Sequence, residues 1–137
     1  MRQEKLLCHK KEFKLVTTDS THGLPTYPKL LKGREIMGIK QEWTSDITYV
    51  QLQHDHIFLA VVLDLYSRNC IGWELSRSIR TDLAMSALAK ALKNRTKESL
   101  EDLIHHSDQG VQYASKDYVD CLKEHGIQIN MPRKGNP

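Results

Sequence analysis

Cysteine is scarce in this 137-residue sequence, and so are tryptophan, phenylalanine and proline. The three cysteines, Cys8, Cys70 and Cys121, are odd in number and far apart. They form neither a disulfide framework nor a C-x-x-C motif, and they fit a reducing cytosol. His9 beside Cys8 could open a metal site, but no paired ligands follow at finger spacing. Seven glycines and four prolines are too few for a collagen-like or linker-like chain. No apolar run approaches the roughly 18 residues of a membrane span. The longest run, Ile57 to Leu63, is only strand length. The amino end carries charges but no apolar stretch before a small-residue cleavage site, so a secretory signal is not expected.

What is present suits one domain: 39% hydrophobic and 27% charged residues, enough apolar material for a core. The net charge of +3 is unevenly spread. Residues 1–40 hold nine Lys/Arg against four Asp/Glu, whereas residues 41–137 hold eleven against thirteen. A basic connector or arm thus precedes a slightly acidic domain. Such an arm favours an anionic partner, of which a phosphate backbone is the common case, or it simply solubilises the terminus. Leu6 and Leu7 fit the last turn of a helix. The sequence stops at Arg133-Lys134-Gly135-Asn136-Pro137, a turn-like string that reads as a cut.

From Trp43 the pattern sharpens. Trp43–Val50 alternates, with Trp43, Ser45, Ile47 and Tyr49 on one face and Thr44, Asp46, Thr48 and Val50 on the other, which predicts a strand. After a polar hairpin loop, Ile57–Leu65 is apolar on both faces and predicts a central strand covered on two sides. Cys70–Leu75 completes an antiparallel meander, with Trp43 and Trp73 expected in the core. The period then becomes helical: Leu83, Ala84, Ala87, Leu88, Ala91 and Leu92 form one stripe, capped by Thr81 or Asp82 and running to about Asn94. A fourth strand is predicted at Leu103–His106. A second helix follows, capped by Ser115 and stopped by Gly126, and then a fifth strand at Ile127–Met131. The order β-β-β-α-β-α-β describes an α/β domain with a mixed sheet and helices on its faces, as in ribonuclease-H-like folds.

Three acids stand out. Asp46 lies mid-strand, Asp64 at the exit of the most apolar strand, and Asp108 in a turn ending at Gly110. If the first and fourth strands are neighbours, Asp46 and Asp108 converge, and converging carboxylates bind Mg²⁺ or Mn²⁺ through oxygen. An Asp at a strand end also commonly caps a turn, so both readings stand at this point. His106, or His105, could orient a carboxylate, touch a phosphate or pack against a helix. His54-Asp55-His56 has ligand spacing but falls in a loop, where solvent exposure is the ordinary outcome. Lys116, Arg133 and Lys134 are candidate phosphate contacts or plain solvated charge.

Longer strings narrow the choice. Trp43-Thr44-Ser45-Asp46-Ile47-Thr48-Tyr49-Val50, Phe58-Leu59-Ala60-Val61-Val62-Leu63-Asp64-Leu65-Tyr66-Ser67-Arg68 and Ile71-Gly72-Trp73 closely resemble the catalytic core of bacterial insertion-sequence transposases. That core belongs to the retroviral-integrase, or D,D-E recombinase, superfamily. The resemblance continues through His105-His106-Ser107-Asp108-Gln109-Gly110-Val111-Gln112-Tyr113 and Arg133–Pro137, and Thr17–Pro25 resembles the segment before the core. It implies a ribonuclease-H-like fold, with Asp46 and Asp108 as the first and second catalytic, metal-binding aspartates. It makes Asp64 a supporting acid outside the triad, with Arg68 as a candidate partner. It implies Mg²⁺ or Mn²⁺ as cofactor, DNA (element ends and target) as partner, homo-oligomers, a bacterial cytoplasmic location and no membrane.

The third carboxylate of this family is a Glu a few residues beyond the string matched by Arg133–Pro137, on a final helix. The sequence ends before it, and Glu124 stands too early to substitute. The resemblance therefore implies a weakly held cation, apolar sheet area left uncovered, and no strand transfer by this polypeptide alone. A ribonuclease-H-like nuclease, or a catalytically inactive relic that binds DNA or the full-length transposase, are the alternatives.

Overall fold

The structure, a computed structural model, describes residues 33–132 except 94 and 97, together with Gly23, Pro25, Tyr27 and Leu30. The expectations for Leu6, Leu7, Cys8, His9, Arg133 and Lys134 fall outside these residues. Five strands form one sheet: β1 (Glu42–Gln51), β2 (His56–Asp64), β3 (Cys70–Ser76), β4 (Ile104–His106) and β5 (Gln128–Asn130). Their spatial order is β3-β2-β1-β4-β5. The first three pair antiparallel, as two short links require, while β4 joins β1 and β5 joins β4 in parallel. The mixed sheet expected from the element order is thus present.

The helices are α1 (Thr81–Leu92), α2 (Val111–Ala114) and α3 (Lys116–Glu124), with one 3-10 turn at Glu98–Leu100. They pack against one another and on one face of the sheet. Toward them point Trp43, Ser45 and Ile47 of β1 and Phe58, Ala60 and Val62 of β2, all buried. α1 contributes its predicted stripe, every member of it buried. It lies against β3 so closely that a Cβ on Gly72 would sit 2.7 Å from the Ala91 backbone nitrogen and closer still to the Ala87 carbonyl oxygen. Only hydrogen fits there, which explains a glycine inside a strand.

Four expectations are corrected. The cap of α1 is Arg80, which brings no side-chain acceptor; Leu83 N–H instead bonds the Arg80 carbonyl at 3.1 Å. The second helix stands where expected, as α3 between Ser115 and Gly126, but an unexpected one-turn helix, α2, precedes it. Ser115 does occupy the N-cap position of α3, with ψ near 147°, but its hydroxyl donates to the Gln112 carbonyl at 3.0 Å and makes no capping bond. Such local side-chain bonds compete with helix continuation. Gly126 does end α3, at φ +72°. The second face of β2 is not fully covered: Ile57, Leu59, Val61 and Leu63 are half-buried. Beside them Trp73 and Leu75 are exposed, so Trp43 is a core residue and Trp73 is not. Among the described residues, no helix covers this face.

Candidate metal centre

β1 and β4 run in parallel only from Glu42 to Thr44 and Ile104 to His106. β1 then continues alongside β2 to Gln51, while the chain leaves β4 through Ser107 and Asp108. This leaves a fork at the carboxyl end of β4, the place where open α/β sheets offer a crevice. Asp46 lies two residues past the last paired position of β1, and Asp108 two residues past the end of β4. Both are exposed. One oxygen of Asp108 accepts the Gly110 N–H at 2.8 Å, which closes the turn, and one oxygen of Asp46 accepts the N–H of Ile47 at 2.9 Å.

The two carboxylates feel one another. Partial burial pushes the Asp46 carboxyl above its usual range, against the Ile47 hydrogen bond, and the negative charge of Asp108 pushes it further. Tyr113 of α2 is buried near both. Its phenol is raised by burial first, then by Tyr118, and then by the charges of Asp46 and Asp108. The Tyr113 hydroxyl is buried without a hydrogen-bond partner among the described residues.

Beneath the fork lies a second layer. His105 is fully buried, with Nε2 2.7 Å from Ser45 Oγ and 3.1 Å from the Tyr118 hydroxyl. Burial, then the neighbouring His106, drives its pKa down to about 3, so the ring is neutral and its Nε2, within reach of both hydroxyls, has one lone pair to offer them. Tyr113 packs edge-on against Tyr118, ring centroids 5.3 Å apart. His106 is half-buried and held below its usual pKa by burial, against the pull of Asp108. The amide Nδ2 of buried Asn130 donates to its Nδ1 at 2.9 Å, while the Asn130 carbonyl oxygen accepts the N–H of Leu30 at 3.0 Å. Asn130 thus ties β5 to β4 and to Leu30.

Asp64 lies elsewhere, buried at the end of β2. Its oxygens accept Ser67 N–H at 2.9 Å, the Ser67 hydroxyl at 3.0 Å and Lys40 N–H at 2.7 Å. Burial alone would raise its pKa, but these bonds outweigh it and hold the carboxyl below the usual range. Among the described residues no ion pair joins Asp64 to Arg68; Arg68 enters the turn through its backbone, donating to the Asp64 carbonyl at φ 59°. Lys116 pairs with Asp120 one helical turn on, at 2.5 Å. His56 starts β2 and packs edge-on against Phe58.

Two carboxylates meeting at a solvent-open fork suit a hard divalent cation, whose charge would relieve their repulsion. Among the described residues no third ligand completes a cluster. Sequence reasoning overlooked Ser45, Tyr113 and Tyr118, because a hydroxyl on a core-facing stripe carries no local signal of its own.

Residues 39–137 match the sequence profile of the Integrase core domain. This chain belongs to that family. It is 41% identical over 115 residues to the transposase InsF of insertion sequence IS3A from Escherichia coli K12, a match covering 83% of this chain and 39% of that protein. It is 34% identical over 138 residues to an uncharacterized 31 kDa protein of insertion element IS600 from Shigella sonnei, covering 99% and 50%. The chain therefore spans about two fifths to one half of the curated relatives it matches. Among solved structures it resembles a simian T-cell lymphotropic virus intasome bound to a PP2A regulatory subunit. There the TM-score is 0.63 at 19% identity, covering 88% of this chain and 40% of that one. The HTLV-2 integrase catalytic core with magnesium aligns at TM-score 0.55 and 17% identity, covering 68% and 60%. The integrase core is thus an α/β, ribonuclease-H-like fold, as its element order suggested. No helix among the described residues is long and apolar enough to cross a membrane.

Proposed function

We propose that this integrase core is the part of a bacterial insertion-sequence transposase that holds Mg²⁺ or Mn²⁺ for cutting and joining DNA strands. The observation that carries this is the convergence of Asp46 and Asp108 at the β1–β4 fork, where each charge acts on the same buried phenol. The two aspartates would be the catalytic ligands of the cation. Bound there, it supplies Lewis-acid stabilisation of charge developing on a DNA phosphodiester. The chain's own contribution is positional. The Asp108 carboxylate is anchored to Gly110, and β4 is fixed on both sides, by Ser45 through His105 and by Asn130 through His106. Asp64 supports the fold rather than the chemistry, since its oxygens are occupied by backbone and Ser67 donors.

DNA would approach the fork, with Lys116, Arg133 and Lys134 contacting phosphates and residues 1–40 acting as a basic connector to the core at 41–137. Assembly into homo-oligomers belongs to the same reading. Mn²⁺ titration of the purified chain, followed by the paramagnetic signal of free Mn²⁺, tests it. Wild type should bind, and Asp46→Asn and Asp108→Asn should each lose most of the affinity. Equal binding by all three would overturn the assignment.

A further inference from the structure

One group at the fork is unexplained by the pair of aspartates. Tyr113 is 3% exposed, and its hydroxyl is enclosed without a protein partner among the described residues. A buried hydroxyl left unbonded is costly, so each one asks what else could use it. Tyr118, its stacking neighbour, shows the ordinary solution, since its hydroxyl meets His105 and lies 3.4 Å from Ser45.

Local geometry fixes where Tyr113 stands. The turn that orients Asp108 ends at Gly110, whose carbonyl accepts the Tyr113 N–H at 3.0 Å, so acid and phenol belong to one short rigid unit. On its other side the ring rests on Tyr118, which reaches Ser45, the residue before Asp46. The phenol therefore shares a turn with Asp108 and is linked through Tyr118 to the residue before Asp46, and both charges act on it. A neutral phenol is a pure asset beside two acids: it can donate a proton to a carboxylate oxygen without adding charge.

We propose that Tyr113 is a positioning residue of the metal centre: its hydroxyl donates to a carboxylate oxygen of the Asp46–Asp108 pair when a divalent cation is bound, fixing the orientation of the ligands. This rests on the metal-site reading above. Outer partners of this kind typically change metal affinity by about 10- to 100-fold when removed.

The test compares wild type, Tyr113→Phe and Tyr118→Phe by Mn²⁺ titration and by thermal melting without metal. Tyr113→Phe keeps the stacked ring and removes only the unbonded hydroxyl. It should melt at or above the wild-type temperature while binding Mn²⁺ about tenfold more weakly. Tyr118→Phe removes a bonded hydroxyl from the same ring pair. It should melt lower while Mn²⁺ affinity stays within about twofold of wild type, well below the tenfold effect of a lost outer partner. Unchanged Mn²⁺ affinity in Tyr113→Phe overturns the proposal and leaves the two-aspartate site standing. A parallel loss of melting temperature and affinity in both variants assigns Tyr113 a structural role only and also overturns it. Failure of wild type to bind Mn²⁺ would remove the metal-site reading itself, and this inference with it.

Discussion

The two faces of the sheet are built to different rules. Toward the helices, β1, β2 and β3 present Trp43, Ile47, Ala60, Val62 and Gly72 at close packing. On the opposite face stand Asp46, Thr48 and Val50, a half-buried row on β2, and exposed Trp73 and Leu75. The acids follow the same division. Asp64, on the helix side, is saturated with donors and held below its ordinary pKa, whereas Asp46, on the other, is raised by burial and by a second acid. One arrangement saturates a carboxylate with donors; the other leaves it exposed beside one backbone donor, the Ile47 N–H. Side chains that alternate along a strand can therefore serve opposite purposes one residue apart.

Substitutions should reveal the division. The largest effect is expected at Gly72→Ala, where the new methyl must displace the α1 backbone; urea denaturation should show a loss of about 3 kcal/mol. Asp64→Ala strands the Lys40 and Ser67 donors and should cost about 2 kcal/mol by the same measurement, with Mn²⁺ binding unchanged.

Acid should weaken the helix-side arrangement progressively. His105 titrates near 6.5 when unfolded and at about 3 when folded, so between these values the unfolded chain takes up a proton that the folded chain refuses. Stability should fall as pH drops below about 6.5, at up to about 1.4 kcal/mol per pH unit for this one group. His106, also lowered, adds to this, and Asp64 adds a further loss below about pH 4, while the raised Glu42 and Asp46 pull the other way in the carboxylate range. His105→Gln should flatten the decline between about pH 6.5 and 4.5; an unchanged slope would mean that this ring does not control it.

Next door to Gly72, Trp73→Ser should cost no more than about 1 kcal/mol, because the indole is half exposed and its main partner is Lys90, 5.0 Å above the ring. A larger loss would show that the open face is covered in solution. The smallest change is expected from Asp46→Asn, which relieves repulsion with Asp108. Without metal its melting temperature should match wild type or rise slightly. A clear drop would make Asp46 a structural acid like Asp64 and dissolve the contrast between the faces.

Much of this was legible in the sequence because it is periodic. Period-two alternation from Trp43, the helical stripe from Leu83 to Leu92 and the Gly126 stop each report a local backbone preference, and each element lies within a few residues of its expected place. The one-turn α2 was not legible, and neither was the partner of the Ser115 hydroxyl, since Ser is equally at home capping the next helix and bonding back to a preceding carbonyl. Trp73 misled for a related reason: an aromatic in a strand signals a pleated surface, not which side of it is buried.

The sequence by itself determined the elements, the family strings and the two aspartates, because local propensity and residue identity act over a few positions. Tertiary structure alone decided that Asp46 and Asp108 share a fork, that Asp64 is fully bonded while Asp46 is not, and that one tyrosine of a stacked pair keeps an unbonded hydroxyl. Those are properties of strand order and packing between segments some sixty residues apart, and no local pattern encodes them.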